Sequence, residues 1–245
     1  MSLMPSFLML RLEAPLLSFG SEAIDANGPT RDFPGVSMMT GLLANALGYS
    51  RHERAKHQRL QDRLIFGVRI DRAGHQLLDF QTARLSKSDE GWTTRGKPEG
   101  RAGGEDTYDS PHIRLRHYCA DPALTVAVRL APPDESPTLD DLTIAVSRPA
   151  RPLFIGRKHC LPSTHLLIGV RDGKNSVAAL QATPAADDSL DRCRFVVQQC
   201  ELVTLDCSQV IRLTHRRDWI AGVHTGEATV STLTLSAQVP NGAEA

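Results

Sequence analysis

Arg148, Arg151, Arg157 and Lys158 crowd into one stretch, RPARPLFIGRKHC, that runs from Arg148 to Cys160. No acidic residue falls between Asp141 and Asp172. Pro149 and Pro152 fix their own φ and keep the residues before them out of the helical region, so the first half of the stretch is expected to be extended. Gly156 lets the backbone approach a ligand closely, and Phe154 sets a flat ring among the cations. Guanidinium forks grip phosphate oxygens in pairs and stack on bases. With a ring and bare backbone beside them, they suit a bent, single-stranded nucleic acid. The plain alternative is a solvated cationic face. For Phe154, flanked by Leu153 and Ile155, it is a ring buried on one side of a strand.

A second group could do proton chemistry. Arg116, His117 and Tyr118 follow Arg114, and His117 could act as acid or base in metal-independent RNA cleavage. Neighbouring strand residues point to opposite faces, so the three converge on one phosphate only where the strand bends. His159 and His165 flank Cys160, but a metal site needs more ligands at suitable spacing. Cys119, Cys160, Cys193, Cys200 and Cys207 form no CxxC pair, which argues against a zinc finger. Their odd number points to a reducing cytoplasm rather than a disulfide scaffold. Neither a metal nor another cofactor is expected. Arg51, Arg54, Lys56, Arg59 and Arg63 form a further basic run. It reads as a solvated helix face, or as a contact for RNA backbone or for DNA.

The chain that positions these groups has 245 residues, with 28 basic and 28 acidic side chains. A zero net charge argues against a protein that coats nucleic acid non-specifically, though not against a local basic site. Hydrophobic residues make up 41% and charged residues 23%, the balance of a soluble globular chain with a real core. The N-terminal MSLMPSFLMLRLEAP has no basic start and no long apolar centre, so it does not read as a signal peptide. No stretch approaches the roughly 20 apolar residues of a membrane span.

Phe7 to Leu12 reads as a buried first strand, and residues 18–34, rich in Gly, Pro, Asn and Asp, as a loop. A helix is predicted from Phe33 to Gly48, capped by Ser37 and stopped by Gly48. A second helical stretch covers Arg51 to Arg63. Leu64 to Ile70 is a strand, 71–74 a turn, and Leu77 to Leu85 a returning strand. Residues 86–111 are rich in glycine and charge, a loop long enough to be functional or disordered. Ala123 to Leu130 is a strand, and a helix follows Pro137. Strands are expected at 166–170, 195–205 and 230–235, and a frayed tail at 237–245. This order predicts an α+β protein whose ferredoxin-like antiparallel sheet carries helices on one face, as in RNA-recognition modules. It divides into 1–150, which includes the long insertion, a β-rich 151–236 and the tail.

Four segments carry a family resemblance: LRLEAPLLSFG from Leu10 to Gly20, TRDFP with the following GLL and LG from Thr30 to Gly48, R-x-Y with TVAV from Arg116 to Val128, and Arg148 to Gly169. In this order they resemble the CasD-type subunits of type I-E CRISPR surveillance complexes (Cascade), within the RAMP superfamily. The resemblance implies an RNA-recognition fold with a hairpin thumb, about residues 80–115. It implies a non-catalytic subunit that grips the hooked 5′ handle of the CRISPR RNA. The thumb would pack on the backbone subunit (CasC type), with the large subunit (CasA type) and target DNA nearby. Arg116 matches the family's arginine at the thumb base, and Phe154 stands where many relatives have tyrosine. Gly156, Arg157 and Lys158 match the family's G-R-R/K turn, while Arg31 and Ser37 match the loop and helix start near the handle. Arg151 replaces an aromatic residue of the relatives, Ala150 a basic one and Leu161 a proline. A sister group in type I-C processes its own guide RNA, so the alternative is a RAMP endoribonuclease acting on repeat RNA.

Overall fold

Strand β1 (Ser6–Glu13) lies antiparallel to β7 (Ala123–Leu130), with Leu8 opposite Val128 and Leu12 opposite Leu124. Both strands are near-continuous apolar runs and both are buried on two faces, the pattern of a strand at the centre of a covered sheet. In this computed structural model, which describes residues 4–84, 111–186, 192–198, 201 and 209–236, five more strands join them. These are β4 (Leu64–Arg72), β8 (Leu167–Asp172), β9 (Arg192–Gln198), β10 (Gln209–Asp218) and β11 (Val223–Ser236). The sheet runs β10-β11-β9-β4-β7-β1-β8, and its pairings are antiparallel. Residues on both sides of position 150 share it. The expected α+β class with a largely antiparallel sheet is what the chain adopts.

Three helices, α1 (Val36–Ala46), α2 (Arg54–Arg63) and α3 (Leu139–Ser147), cover one face of this sheet. Met39, Leu43, Leu60 and Leu142 pack there with Leu8, Leu10 and Leu12. The expectation that helices occupy one face only is corrected by α4 (Ser176–Gln181), which covers the other. Val177 and Leu180 of α4 pack with Phe7, Met9, Phe195 and Val197. Strand alternation sends Phe7 and Met9 to that side, and both are large apolar groups that must be kept from water. A sheet that stacks bases leaves such a face open; here the chain closes it itself.

A second, smaller sheet holds β2 (Leu16–Leu17), β3 (Asn27–Gly28), β5 (His75–Ala83) and β6 (His112–Ala120). The stretch from Leu77, expected to return alongside the strand before it, instead leaves β4 and pairs with β6, from His75 opposite Ala120 to Ala83 opposite His112. Gly74 makes that departure possible: its φ is +68°, and a Cβ would fall 2.3 Å from the Ala120 carbonyl oxygen. Most of the expected thumb, the tail at 237–245, and the end of the strand expected to reach Leu205 lie outside the described residues. Ser37 does not cap α1. Gly35 holds the N-cap position and no side chain bonds to the free amides, so Ser37 sits inside the first turn. Gly48 ends the helix with φ +80°, as expected. Neither α4 nor β10 is foreshadowed by the residue pattern.

Two arginines have no solvent exposure and tie loops to the sheet. Arg69 donates to Asp71 at 2.5 Å and to the carbonyls of Leu180 and Thr183 at 2.5 and 2.9 Å. Thr125, Arg11 and the Ala186 amide also donate to Asp71. Arg63 donates to the carbonyls of Pro137, Pro132 and Glu135 at 3.1, 2.8 and 2.5 Å. Buried charges persist only when paired or hydrogen-bonded in this way.

Candidate nucleic-acid interface

A cleft of about 350 Å³ opens on the helical side. Ser18 to Gly20, the loop after β2, form one wall. Helix α1 contributes Ser37, Met38, Gly41, Leu42 and Asn45. Phe154, Gly156 and Arg157 come from the turn that follows α3, and Arg217, Trp219 and His224 from the β10–β11 hairpin. The 151–160 segment is irregular rather than a strand. Alternation survives within it all the same: Leu153 and Ile155 are buried, while Phe154 between them is half-buried against the cleft.

Gly156 is required by the chain itself. Its φ is +90° and an added Cβ would lie 1.7 Å from the Ser18 carbonyl oxygen. The turn is then closed by the Ile155 amide donating to the Cys160 carbonyl and the Cys160 amide donating to the Arg157 carbonyl, at 2.8 and 2.9 Å. The backbone approach expected toward a ligand is in this structure an approach to the β2 loop.

The cations divide into two kinds. Arg157 donates to the carbonyls of His117 and Gly28 at 3.1 and 3.0 Å, and its guanidinium lies 4.5 Å from the centre of the Tyr118 ring. Arg151 donates to the carbonyls of Gly48 and Tyr49, closing the C-terminus of α1. Arg31 pairs with Glu22 at 2.5 Å. These three hold the frame. The side chains of Arg116, Arg148 and Lys158 have no hydrogen-bond or ion-pair partner among the described residues, and Arg148 and Lys158 are exposed. Arg116 is half-buried beside Gly28, where a Cβ would come within 3.0 Å of its Nη1. The structure therefore brings Ser37, Phe154, Gly156 and Arg157 into the cleft and seats Arg116 next to Arg157. Arg31, Arg148, Arg151 and Lys158 do not line it.

The trio on β6 does not converge. The β5–β6 register puts Arg116 and Tyr118 on one face and His117 on the other. Tyr118 is buried and its hydroxyl meets His159 at 2.7 Å, while His117 meets Asn27 at 3.0 Å. Two thiols nearby are poor nucleophiles. Burial pushes Cys119 up to about 11, with Asp32 adding to the effect. Burial also raises Cys160, against the opposing pull of Arg157. Among the described residues no group of three or more His, Cys, Asp or Glu is placed to hold a metal ion. The arrangement offers binding chemistry: rings, guanidiniums and a narrow concavity.

Sequence reasoning missed Arg217, Trp219 and His224. Their one local signal is RRDW at 216–219, cations running into a tryptophan. Trp219 is anchored by α2: its amide donates to Gln58 at 3.0 Å, its Nε1 to Gln61 at 3.3 Å, and its ring stacks on His57 with centres 4.8 Å apart. Burial lowers the pKa of His224, and Arg217 lowers it further.

With this geometry established, three comparisons are informative. A family model described as CRISPR-associated protein (Cas_Cas5) matches residues 7–231. The CRISPR system Cascade subunit CasD of Escherichia coli (strain K12) is 30% identical over 180 residues, which cover 72% of this chain and 76% of that protein. A solved chain titled CRISPR RNA-guided surveillance complex superposes with a TM-score of 0.67 at 21% identity, over 94% of this chain and 90% of that one. A second, titled Crystal structure of Cas protein, gives 0.56 at 22% identity over 96% and 95%. At such identities the two solved chains speak for the fold.

Proposed function

The chain belongs to the CRISPR-associated Cas_Cas5 family, and on that premise we propose that it is the CasD-type subunit of a Cascade-like CRISPR surveillance complex, where it holds the 5′ handle of the guide RNA without cutting it. The observation that carries this reading is the cleft between α1, the Phe154–Arg157 turn and the β10–β11 hairpin. It joins rings to guanidiniums in a concavity wide enough for a splayed base. Phe154 and Met38 offer stacking surface, while Arg116, Arg148 and Lys158 supply cations whose side chains have no partner among the described residues. Arg31, Ser37, Arg151, Gly156 and Arg157 shape the surface on which the handle lies. Specificity for the target then rests on base pairing by the guide rather than on this protein.

Two further features support the assignment. We read the order β4-β7-β1-β8, with helices between β1 and β4 and between β7 and β8, as a ferredoxin-like split βαβ unit. The β5–β6 hairpin exposes Leu78, Phe80 and Ile113 on one face. An apolar face of this kind suits a neighbouring subunit, and we assign it as the base of a thumb that packs on the backbone subunit (CasC type). The large subunit (CasA type) and the target DNA lie close by in this arrangement. No helix among the described residues is long and apolar enough to cross a membrane, and no membrane partner is proposed.

The endoribonuclease alternative is weighed down by the divergence of Arg116, His117 and Tyr118. Two experiments separate these readings. The chain is co-expressed with its neighbouring subunits and a repeat array, and the bound RNA is quantified and its 5′ ends are sequenced. Phe154→Ala combined with Lys158→Ala should reduce guide content and loosen the 5′ end while the fold is kept. Unchanged RNA content and protection would overturn the reading. Cleavage of repeat RNA by the purified chain in EDTA, lost in His117→Ala, would install the nuclease in its place.

A further inference from the structure

Trp219 and Arg217 also border a second cleft, of about 400 Å³, on the side of α2. Its other charged or titratable walls are Arg51, His52, Arg54 and His57. No carboxylate lines it among the described residues. The acids adjacent in sequence are turned to other work: Glu53 accepts from the Ser50 amide and Lys56, and Asp218 accepts from the Ala221 amide. The basic run at 51–63 is thereby divided, with Lys56 held by Glu53. Arg59 and Arg63 turn toward Glu135 and the 132–137 loop, whereas Arg51 and Arg54 turn toward the hairpin.

The guanidiniums of this second cleft have donors to spare. Arg51 is exposed and has no partner among the described residues. Arg54 spends one Nη on the Ile220 carbonyl at 3.0 Å, and Arg217 one Nη on the Gly222 carbonyl at 3.0 Å. The Nε of Arg217 is buried and has no hydrogen-bond partner among the described residues, a cost that the fold carries at this point. Three guanidiniums gathered with no counter-ion among the described residues repel one another, and an anion between them removes that penalty.

We propose that the second cleft binds the phosphodiester backbone of a single-stranded polynucleotide. Because Arg217 and Trp219 border both clefts, the ligand that fits is one that continues from the first to the second and carries a charge at each unit. The strand passes Trp219, with bases toward Phe154 and phosphates toward Arg51 and Arg54. This deepens the handle-binding reading and rests on it for the strand's continuity. The phosphate site itself stands on its own residues.

The test uses the full chain and three fluorescent probes of equal length: RNA carrying the repeat-derived handle, unrelated single-stranded RNA, and single-stranded DNA. Each is titrated across a salt series. Arg51→Ala/Arg54→Ala should weaken all three roughly tenfold near 0.1 M salt. It should also flatten the plot of log affinity against log salt by about 0.7 for each phosphate that is no longer neutralised. Preference for the handle should be unchanged. Arg51→Ala alone removes an exposed side chain with no partner, so the fold is not at stake, and it should flatten the slope by about half as much. Arg54→Lys should keep most of the slope. Wild-type affinity and slope in the double variant would overturn the phosphate site while leaving the handle reading intact. A flattened slope with no preference for the handle in any form would overturn the handle reading alone. A chain that binds none of the three probes at low salt overturns both.

Discussion

Residues 51–63 and 148–158 look alike in the sequence, five cations in one and four in the other, yet the fold uses them differently. The first run leads into and forms α2 (Arg54–Arg63), where most backbone carbonyls are satisfied within the helix. Its arginines therefore reach outward, to Glu135, to the 132–137 loop, or to the hairpin cleft. The second run is irregular and lies against the end of another helix and the edge of the small sheet, where carbonyls need donors. Arg151 and Arg157 are drawn onto those carbonyls, and Arg148 and Lys158 are left over. The lesson is that unpaired backbone oxygens compete with a nucleic acid for arginine, and the local backbone decides which claim is met.

That contrast can be broken at several points. Arg63→Ala removes a fully buried guanidinium that serves three carbonyls of the 132–137 loop and should cost about 3–5 kcal/mol in urea unfolding. A loss under about 1 kcal/mol would mean that the helix run is as solvated as its sequence suggests. Gly156→Ala forces a side chain onto the Ser18 carbonyl at positive φ and should cost about 3 kcal/mol. A well-folded variant would show that the turn is free to move.

Arg157→Ala leaves the His117 and Gly28 carbonyls unmet and strips the guanidinium from the Tyr118 ring; a destabilisation of about 2 kcal/mol is expected. Arg157→Lys should restore only part of it, because one ammonium cannot span both carbonyls as the planar fork does. If Arg157→Ala changed guide affinity with no loss of stability, the division between frame and ligand cations would be wrong. Arg148→Ala/Lys158→Ala should do the opposite, shifting stability by no more than about 0.5 kcal/mol while weakening RNA binding. Unfolding curves and filter binding on the same samples read both quantities.

The smallest effect belongs to the start of α2. Hydrogen bonds from Lys56 and from the Ser50 amide lower the Glu53 carboxyl from the usual 4.5 to about 2. A carboxyl depressed in the folded state stabilises it above the ordinary value, and that contribution fades as pH falls from about 4.5 toward 2. A carbon-detected NMR titration should place the Glu53 midpoint near 2. A midpoint at the ordinary value would mean that the helix start is frayed.

Much of the frame was legible from residue order. FLMLRL and ALTVAV announce the two central strands because a strand covered on both faces needs apolar residues at consecutive positions. Met39, Leu43 and Ala46 give α1 a periodic apolar side, and Gly48 its stop. The six residues of α4 are too few to show a period, and the pairing of β5 with β6 turns on a departure at Gly74 that propensity does not encode. The candidate site was half legible. Phe154, Gly156 and Arg157 stood out through Pro, Gly and cation spacing, and Ser37 through the family match. Arg217, Trp219 and His224 did not, because they reach the cleft only when the β10–β11 hairpin docks on Gln58 and Gln61 of α2.

The sequence by itself determined the two central strands, the first helix, the acid-free basic turn and the family, since apolar pattern, glycine placement and motif order are local properties of the chain. Only the tertiary structure decided which cations are free, which face of the sheet is closed, and which hairpin supplies the tryptophan. Those outcomes depend on carbonyls, rings and amides far apart in the chain meeting at hydrogen-bonding distance, and no linear pattern records such a meeting.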